Sequence, residues 1–239
     1  TRMRVGLVKS RNLVSIRLLQ RVGVPYAIDY VARFGFNPNK LPNSLSLALG
    51  SASVSPLQLA TGYAVFANGG YRVVPHFIQS VMNQKQEILY QAHFGQAHQP
   101  GGVVPENLAP QVVTPENAYL MTDALQSVVQ DGTGRAAKVL GRSDLAGKTG
   151  TTNKQADAWF AGFNRNVLSV VWVGYDDLTS LHEYGSRAAL PIWIDYMRAA
   201  LADRPEQALV VPPGVVSVKI DPVNGLLARS DQNDAIFEH

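Results

Sequence analysis

Three strand-like runs that follow one another in the second half of the chain restrict the fold more than any other feature of the sequence. They cover residues 145–152, 158–163 and 167–175. The third run, VLSVVWVGY, is apolar on both faces, which predicts a strand in the centre of a sheet. Helix patterns precede these runs, and segregated helices and antiparallel strands are typical of the α+β class. We therefore predict an α+β fold in which helices flank an antiparallel sheet.

Helix signals dominate the first seventy residues. Apolar residues between positions 5 and 22 recur at helical spacing, and Gly23 closes the pattern. A second short helix is predicted over 26–34. A third is predicted after Ser55, a candidate N-cap followed by proline at the first turn, and it should stop at 68–70.

The remaining pattern divides the chain into three parts. In chain order we predict a hairpin from runs 71–81 and 87–91, an exposed loop over 92–110, a helix from Thr114 to Gly132, a helix over 190–203, and a hairpin over 214–228. The expected division is a helical part of about 1–70, a hairpin and loop part of about 71–114, and a helix and sheet part of about 115–239.

Composition excludes several classes of function. The chain is 46% hydrophobic, enough for a real core, and carries a net charge of +3. It has no run of Lys or Arg, which argues against nucleic-acid binding. There is no cysteine, and the five histidines lack the spacing of a zinc site, so we expect no disulfide, metal or cofactor. No apolar stretch has the length of a membrane span, and the first residues lack the features of a signal peptide.

The string Lys148-Thr149-Gly150-Thr151 is the strongest candidate site in the sequence. Lysine near a strand end is often an ordinary surface residue, and a phosphate loop is excluded because Arg142 stands where its first glycine belongs. As a strand edge, however, the string offers a fixed charge, hydroxyls spaced by two, and a glycine that permits close approach. Such an edge suits a carboxylate beside a reacting carbonyl.

A second element, Ser10-Arg11-Asn12, gains meaning only beside the first. Alone, a Ser-x-Asn tripeptide more often caps a helix. Lys-Thr-Gly, Ser-x-x-Lys and a Ser-x-Asn type element are, however, the three motifs of penicillin-binding proteins and class A β-lactamases. The two that this chain contains stand in the matching order.

Longer stretches extend the resemblance over almost the whole chain, least over 92–110. The chain is similar to the transpeptidase domain of class A bifunctional penicillin-binding proteins. This similarity implies an α+β transpeptidase fold whose Lys-Thr-Gly strand borders the active cleft. Asp157 and Trp159 also match the family pattern, although we interpret them as a structural aspartate and a core aromatic. The stretches that carry the resemblance are LVKSRNLVSIRLLQRVG, LALGSASVSPLQLATGYAVFANGGYRVVPHFI, AGKTGTTNKQADAWFAGFN and VWVGYDD.

The resemblance implies a role for each matching residue. Ser10 would belong to a proton relay with the nucleophile, and Asn12 would hydrogen-bond the substrate amide. Lys148 would tune the electrostatics of the cleft. Thr149 and Thr151 would bind the terminal carboxylate of a D-Ala-D-Ala stem peptide or a penicillin, and the backbone N–H of Thr151 would contribute to an oxyanion hole.

The nucleophile of this chemistry is missing from the chain. No lysine has a serine three positions before it, and only Thr151, before Lys154, offers a hydroxyl there. In the family this motif lies upstream of Ser-x-Asn, and nine residues precede Ser10. We therefore expect a C-terminal part of a longer enzyme, incomplete on its N-terminal side and inactive alone.

The same resemblance implies a setting for the longer protein. It would be anchored at the periplasmic face of the bacterial inner membrane by a segment outside this chain. Its partners would be stem peptides, β-lactams, the upstream part of the same protein and cell-wall regulators. The alternatives are a β-lactamase or D,D-carboxypeptidase, and a catalytically silent peptide-binding or scaffold module.

Overall fold

The computed structural model describes residues 1–98 and 102–239, with helices preceding the principal sheet along the chain. The helices are α1 (Met3–Val8), α2 (Asn12–Val22), α3 (Val24–Ala32), α4 (Pro56–Ala67), α5 (Pro115–Asp131) and α6 (Gly185–Ala200). The strands are β1 (Ser80–Met82), β2 (Ile88–Gln91), β3 (Ala146–Thr151), β4 (Asp157–Phe163), β5 (Leu168–Gly174), β6 (Val218–Ile220) and β7 (Ile236–Glu238). Short 3₁₀ helices lie at Pro38–Lys40, Leu45–Leu49, Arg135–Leu140 and Asn153–Gln155.

The principal sheet is antiparallel and has the strand order β3-β4-β5. Our prediction that residues 167–175 form a central strand is wrong, because among the described residues β5 pairs with β4 alone. Its two apolar faces have another cause. Val171 and Val173 pack against the cluster that contains Trp193 of α6, whereas Leu168 packs against Phe163 on the opposite face. A strand that is apolar on both sides therefore indicates that both of its faces are covered. The pattern does not indicate whether the strand is central or at an edge of the sheet.

Helix α6 covers one face of the sheet, and helices α4 and α5 cover the other, α4 against β5 and α5 against β3. On one face of the sheet, Trp193 lies fully buried against Phe160, with ring centroids 4.9 Å apart. Its indole N–H lies within hydrogen-bond distance of the carbonyl oxygens of Gly162 and Ser169, at 3.3 and 3.2 Å, so this large ring is buried with its polar group satisfied. On the other face, Leu125 of α5 packs with Ala146 and Phe163. The strand that carries Lys148 is thus fixed from both sides.

The helical pattern over residues 5–22 is interrupted at Ser10. There φ is +51°, a left-handed conformation that a residue with a side chain adopts at a cost. α1 ends at Val8 and α2 begins at Asn12, so Ser10 lies in a tight turn between them. The apolar periodicity predicted one continuous helix over 5–22, and this is wrong, because the pattern continues across the turn and does not reveal it.

Side-chain caps begin α4 and α5 as predicted. Ser55 Oγ accepts from Gln58 N, and the Gln58 side chain accepts from Ser55 N in return, forming a capping box. Thr114 Oγ1 accepts from Asn117 N at the start of α5, which ends before Gly132. The predicted helix over 190–203 is α6, which begins earlier, at Gly185.

The two predicted hairpins are only partly as expected. β1 and β2 pair antiparallel, which confirms the first hairpin, although residues 71–79 precede its strand. The turn over 221–225 forms, with Gly225 N donating to Asp221 O at 2.9 Å. The strand partner of β6 is nevertheless β7, because the stretch after the turn contributes only a single bridge between Ile220 and Leu227.

The predicted loop over 92–110 falls partly outside the described residues, since positions 99–101 are not among them. In the described part, Gln96 and Leu108 form a bridge, and Ala109 is buried. This stretch is therefore anchored at both ends.

The C-terminal strand β7 holds α1 against the rest of the fold. Glu238 accepts from Arg2 at 2.6 Å and also pairs with Arg4. Arg4 pairs in addition with Asp123 of α5 at 2.6 Å. Burial acts to lower the pKa of Arg4, but the hydrogen bond from Arg4 to Glu238 and the charge of Asp123 raise it. α1 is thus tied to α5 and to the end of the chain at once.

None of the helices within residues 1–98 and 102–239 combines the length and the apolarity needed to cross a membrane. The division into parts of about 1–70, 71–114 and 115–239 stays a prediction.

Candidate functional site

Lys148 of β3 reaches across to the turn between α1 and α2. Its Nζ donates to Ser10 Oγ at 2.9 Å, although 138 positions separate the two residues. Nζ also donates to the carbonyl oxygen of Thr149 at 3.0 Å. An ammonium group has three N–H donors, so one is left for a further acceptor. The fold therefore brings together the two sequence elements that stood far apart in the chain.

The end of α5 holds the turn that carries Ser10 in place. Lys9 Nζ donates to the carbonyl oxygen of Asp131 at 3.1 Å. A methyl group at Gly132 would lie 2.5 Å from Val8 O, so glycine there allows α1 and α5 to approach this closely. The close packing of the α1 and α5 backbones fixes the position of Ser10 relative to Lys148.

Burial dominates the electrostatics of Lys148. Removal from water disfavours the charged form and lowers the pKa of Lys148 from 10.5 to about 8. The side chain remains mostly protonated at neutral pH, so it can attract an anion. A carboxylate bound beside it would favour the charged form and raise the pKa again.

The outer edge of β3 carries backbone groups that face away from β4. Thr152 N donates to Asp157 O across the β3–β4 ladder. Bonded and non-bonded pairs alternate along an antiparallel ladder, so the N–H and C=O groups of Thr149 and Thr151 point away from β4. Among the described residues β3 has no other strand neighbour. The N–H of Thr151 therefore faces the side from which an extended ligand would approach.

The hydroxyls of Thr149 and Thr151 lie on one face of β3, opposite to the face of Lys148, because side chains alternate along a strand. Both are engaged. Thr151 Oγ1 accepts from Gly185 N, at the start of α6, at 3.0 Å. Thr149 Oγ1 lies 2.7 Å from Thr133 Oγ1. A methyl group at Gly150 would lie 3.1 Å from Trp159 Cβ, so this glycine also accommodates the neighbouring strand.

Thr133 belongs to the candidate site through its contact with Thr149, and it was not among the residues predicted from the sequence. It lies in the sequence Gly132-Thr133-Gly134, directly after the glycine that was predicted to end a helix. Its contact with Thr149 depends on where α5 ends relative to β3, and this is a tertiary relation. The sequence feature that could have indicated Thr133 is a hydroxyl residue between two glycines at the end of a predicted helix.

The other predicted residues lie nearby in different environments. Asn12 is the first residue of α2, and its exposed side chain takes no part in the Lys148–Ser10 hydrogen bond. Asp157 accepts from Trp172 Nε1 at 2.8 Å and from Thr152 Oγ1 at 3.0 Å. Trp159 stacks at a tilt beside Trp172, with ring centroids 6.1 Å apart. Trp159 is only half-buried and belongs to no buried cluster of the described residues, so the interpretation of it as a core aromatic is wrong, whereas the contacts of Asp157 are those of a structural residue on the sheet.

Among residues 1–98 and 102–239, no group of three or more His, Asp or Glu side chains is placed so that it could hold a metal ion. The hydroxyl of Ser10 is the group that receives a hydrogen bond from Lys148. No Ser-x-x-Lys helix is present beside it, because the sequence contains no such motif.

Comparison with known proteins gives consistent matches. The family model described as "Penicillin binding protein transpeptidase domain" matches residues 1–198. Penicillin-binding protein 1A of Pseudomonas aeruginosa is 41% identical over 99% of this chain, and that of Neisseria lactamica is 47% identical over 90%. The crystal structure of penicillin-binding protein 1A from Haemophilus influenzae superposes on the whole chain with a TM-score of 0.92 and 34% identity. The chain spans 34%, 26% and 39% of these three proteins.

Proposed function

The chain belongs to the penicillin-binding protein transpeptidase domain family, and from this premise we propose that it forms the carboxylate-binding half of a peptidoglycan D,D-transpeptidase. The observation that carries the proposal is the 2.9 Å hydrogen bond from Lys148 to Ser10, which joins two motifs of the family in space. The substrates would be stem peptides that end in D-Ala-D-Ala. β-Lactams would occupy the same cleft as inhibitors.

Lys148 would supply the positive charge of this cleft. Its third N–H is available for a ligand, and its burial strengthens any charge interaction that it makes. Thr149 and Thr151 would hold the terminal carboxylate through their hydroxyls. Because both hydroxyls already have protein partners, their positions are fixed before a ligand arrives, which lowers the entropic cost of binding.

The open edge of β3 would align the peptide. An extended ligand can pair with the outward N–H and C=O groups of this edge as an additional strand. The N–H of Thr151 would then donate to the oxygen of the reacting carbonyl, where negative charge develops. Asn12, exposed beside Ser10, would hydrogen-bond the substrate amide from the opposite wall.

The nucleophile would come from a Ser-x-x-Lys segment of the longer protein. The lysine of that segment would take the proton of the serine hydroxyl as the serine oxygen bonds to the carbonyl carbon. The C–N bond to the leaving D-Ala would then break, and Ser10 would relay this proton to the departing amine. An amino group of a second stem peptide would then attack the acyl-enzyme and release the serine. We propose in addition that the longer protein carries a glycosyltransferase domain and an anchor that places it at the periplasmic face of the inner membrane.

The test is covalent labelling with a fluorescent penicillin. The full-length protein should label, and Lys148→Ala should slow acylation by about 10² or more, as loss of a preorganised electrostatic group does. Lys138→Ala, which removes an exposed lysine, is the matched control and should label at the normal rate. Residues 1–239 alone should not label.

Two results would overturn the proposal. Near-normal acylation of Lys148→Ala would exclude this residue from substrate binding, and failure of the full-length protein to label would favour a silent peptide-binding module. The product formed from a stem peptide separates the remaining alternatives. Hydrolysis without transfer would indicate a carboxypeptidase or β-lactamase.

A further inference from the structure

Thr133 and Thr149 share one hydrogen bond beside the cleft. Their Oγ1 atoms lie 2.7 Å apart, and either could be the donor. Each hydroxyl has a single proton and two acceptor lone pairs. In any such pair one hydroxyl donates to the other, and only the accepting hydroxyl keeps its proton for a third group.

The direction of this bond decides what Thr149 offers to an anion. If Thr149 donates to Thr133, its oxygen presents only lone pairs, which repel a carboxylate. If Thr133 donates to Thr149, the proton of Thr149 is free to point at the carboxylate. The bound anion itself selects the second arrangement, because a hydrogen bond to a charged acceptor is about twice as strong as a neutral one.

The backbone around Thr133 is held tightly enough to keep this hydroxyl in place. Gly132 N and Gly134 N both lie within hydrogen-bond distance of Val128 O, at 3.0 and 3.1 Å. Gly132 is also confined by its close approach to Val8 O. Thr133 is therefore presented by a closed turn at the end of α5.

We propose that Thr133 is a positioning residue that holds the hydroxyl of Thr149 as a donor toward the ligand carboxylate. This inference rests on the proposed function, because it assumes that Thr149 binds that carboxylate. It extends the site beyond the motif string to the turn at the end of α5. That turn then serves both walls of the cleft, since it also supports Ser10 through the contact between Lys9 and Asp131.

The experiment measures second-order acylation of the full-length protein by benzylpenicillin and by its methyl ester, which lacks the anion. Thr133→Val keeps the shape of the side chain and removes the hydroxyl, whereas Thr133→Ser keeps the hydroxyl. We expect Thr133→Val to lose about tenfold with benzylpenicillin and nothing with the ester. Thr133→Ser should stay within about twofold of the wild type with both.

The other possible results of this experiment would each contradict a specific part of the proposal about Thr133. Equal losses with both compounds would make Thr133 a structural residue only, and no loss with benzylpenicillin would remove it from the site. If Thr133→Val does not fold, judged by its urea midpoint, Thr133→Ala takes its place in the same comparison. A wild-type protein that acylates equally fast with acid and ester would refute carboxylate binding itself. The inference about Thr133 would fall with it.

Discussion

Replacement of Lys148 by methionine should stabilise the isolated chain at neutral pH, and the gain should shrink as the pH rises. The reason is the cost of burying the ammonium group. Burial lowers the pKa of Lys148 from 10.5 to about 8 in the folded state. Each unit corresponds to 1.36 kcal/mol, so the folded state bears a cost of about 3 kcal/mol at pH 7. Methionine has a similar length and carries no charge.

The sign of the pH dependence follows from the two protonation states. Below pH 8, Lys148 is protonated in both the folded and the unfolded chain, and the full cost applies. Between pH 8 and 10.5 the unfolded chain binds more protons at this position than the folded chain. Stability of the wild type therefore rises with pH in that window, and the remaining cost at pH 9.5 is about 1.5 kcal/mol.

The assay is urea unfolding of residues 1–239 and of Lys148→Met at pH 7.0, 8.0, 9.0 and 9.5. The difference in the free energy of unfolding should fall by about 2 kcal/mol across this series. Other titrating groups are common to both proteins and cancel in the difference. Lys138→Met, which removes an exposed lysine, should stay within about 0.5 kcal/mol of the wild type. A difference for Lys148→Met that does not change with pH would refute the reasoning.

Two further substitutions test the supports of the site. Asp144→Asn should lower the free energy of unfolding by about 3 kcal/mol, because it deprives Arg142 of its buried carboxylate, whereas Asp195→Asn at an exposed pair should cost less than about 0.5 kcal/mol. Burial acts to raise the pKa of Asp144, but hydrogen bonds hold this pKa below 3.8. The stability that the Asp144 carboxylate contributes should therefore be lost in acid, as the pH falls below that value. Equal urea midpoints for Asp144→Asn and Asp195→Asn would contradict a special contribution of the buried pair. Gly132→Ala should cost about 2 kcal/mol, because its methyl group would meet the carbonyl oxygen of Val8 at 2.5 Å. An unchanged urea midpoint would show that α1 and α5 can separate without loss.

Local chemistry made much of the fold predictable. Ser55 and Thr114 are followed by proline and open the helices that they cap, because side-chain oxygens satisfy the free N–H groups of a first turn. The resemblance also predicted the transpeptidase fold. The superposition on the Haemophilus influenzae protein, with a TM-score of 0.92, confirms this prediction.

Relations between distant elements were less accessible. The apolar residues of β5 are the same whether the strand lies at the centre or at the edge, because helices cover both of its faces. The pairing of β6 with β7 depends on a strand that follows the predicted turn by several residues. In the candidate site, Lys148 and its neighbours were identified by their motif. Thr133 has no such motif, and its role arises only from the position at which α5 ends.

The ion pairs between α1 and Glu238 have a consequence for the order of folding. Arg2 and Glu238 are 236 positions apart, so this contact can close only after residue 238 has been synthesised. Synthesis begins at the N-terminal side, so α1 waits for its last partner while α5 and the sheet can already associate. We expect the turn with Ser10 to be held first by its contacts with α5, and α1 to gain its ion pairs with Glu238 last. The side of the site that α1 carries is therefore the last to become fully fixed in a newly synthesised chain.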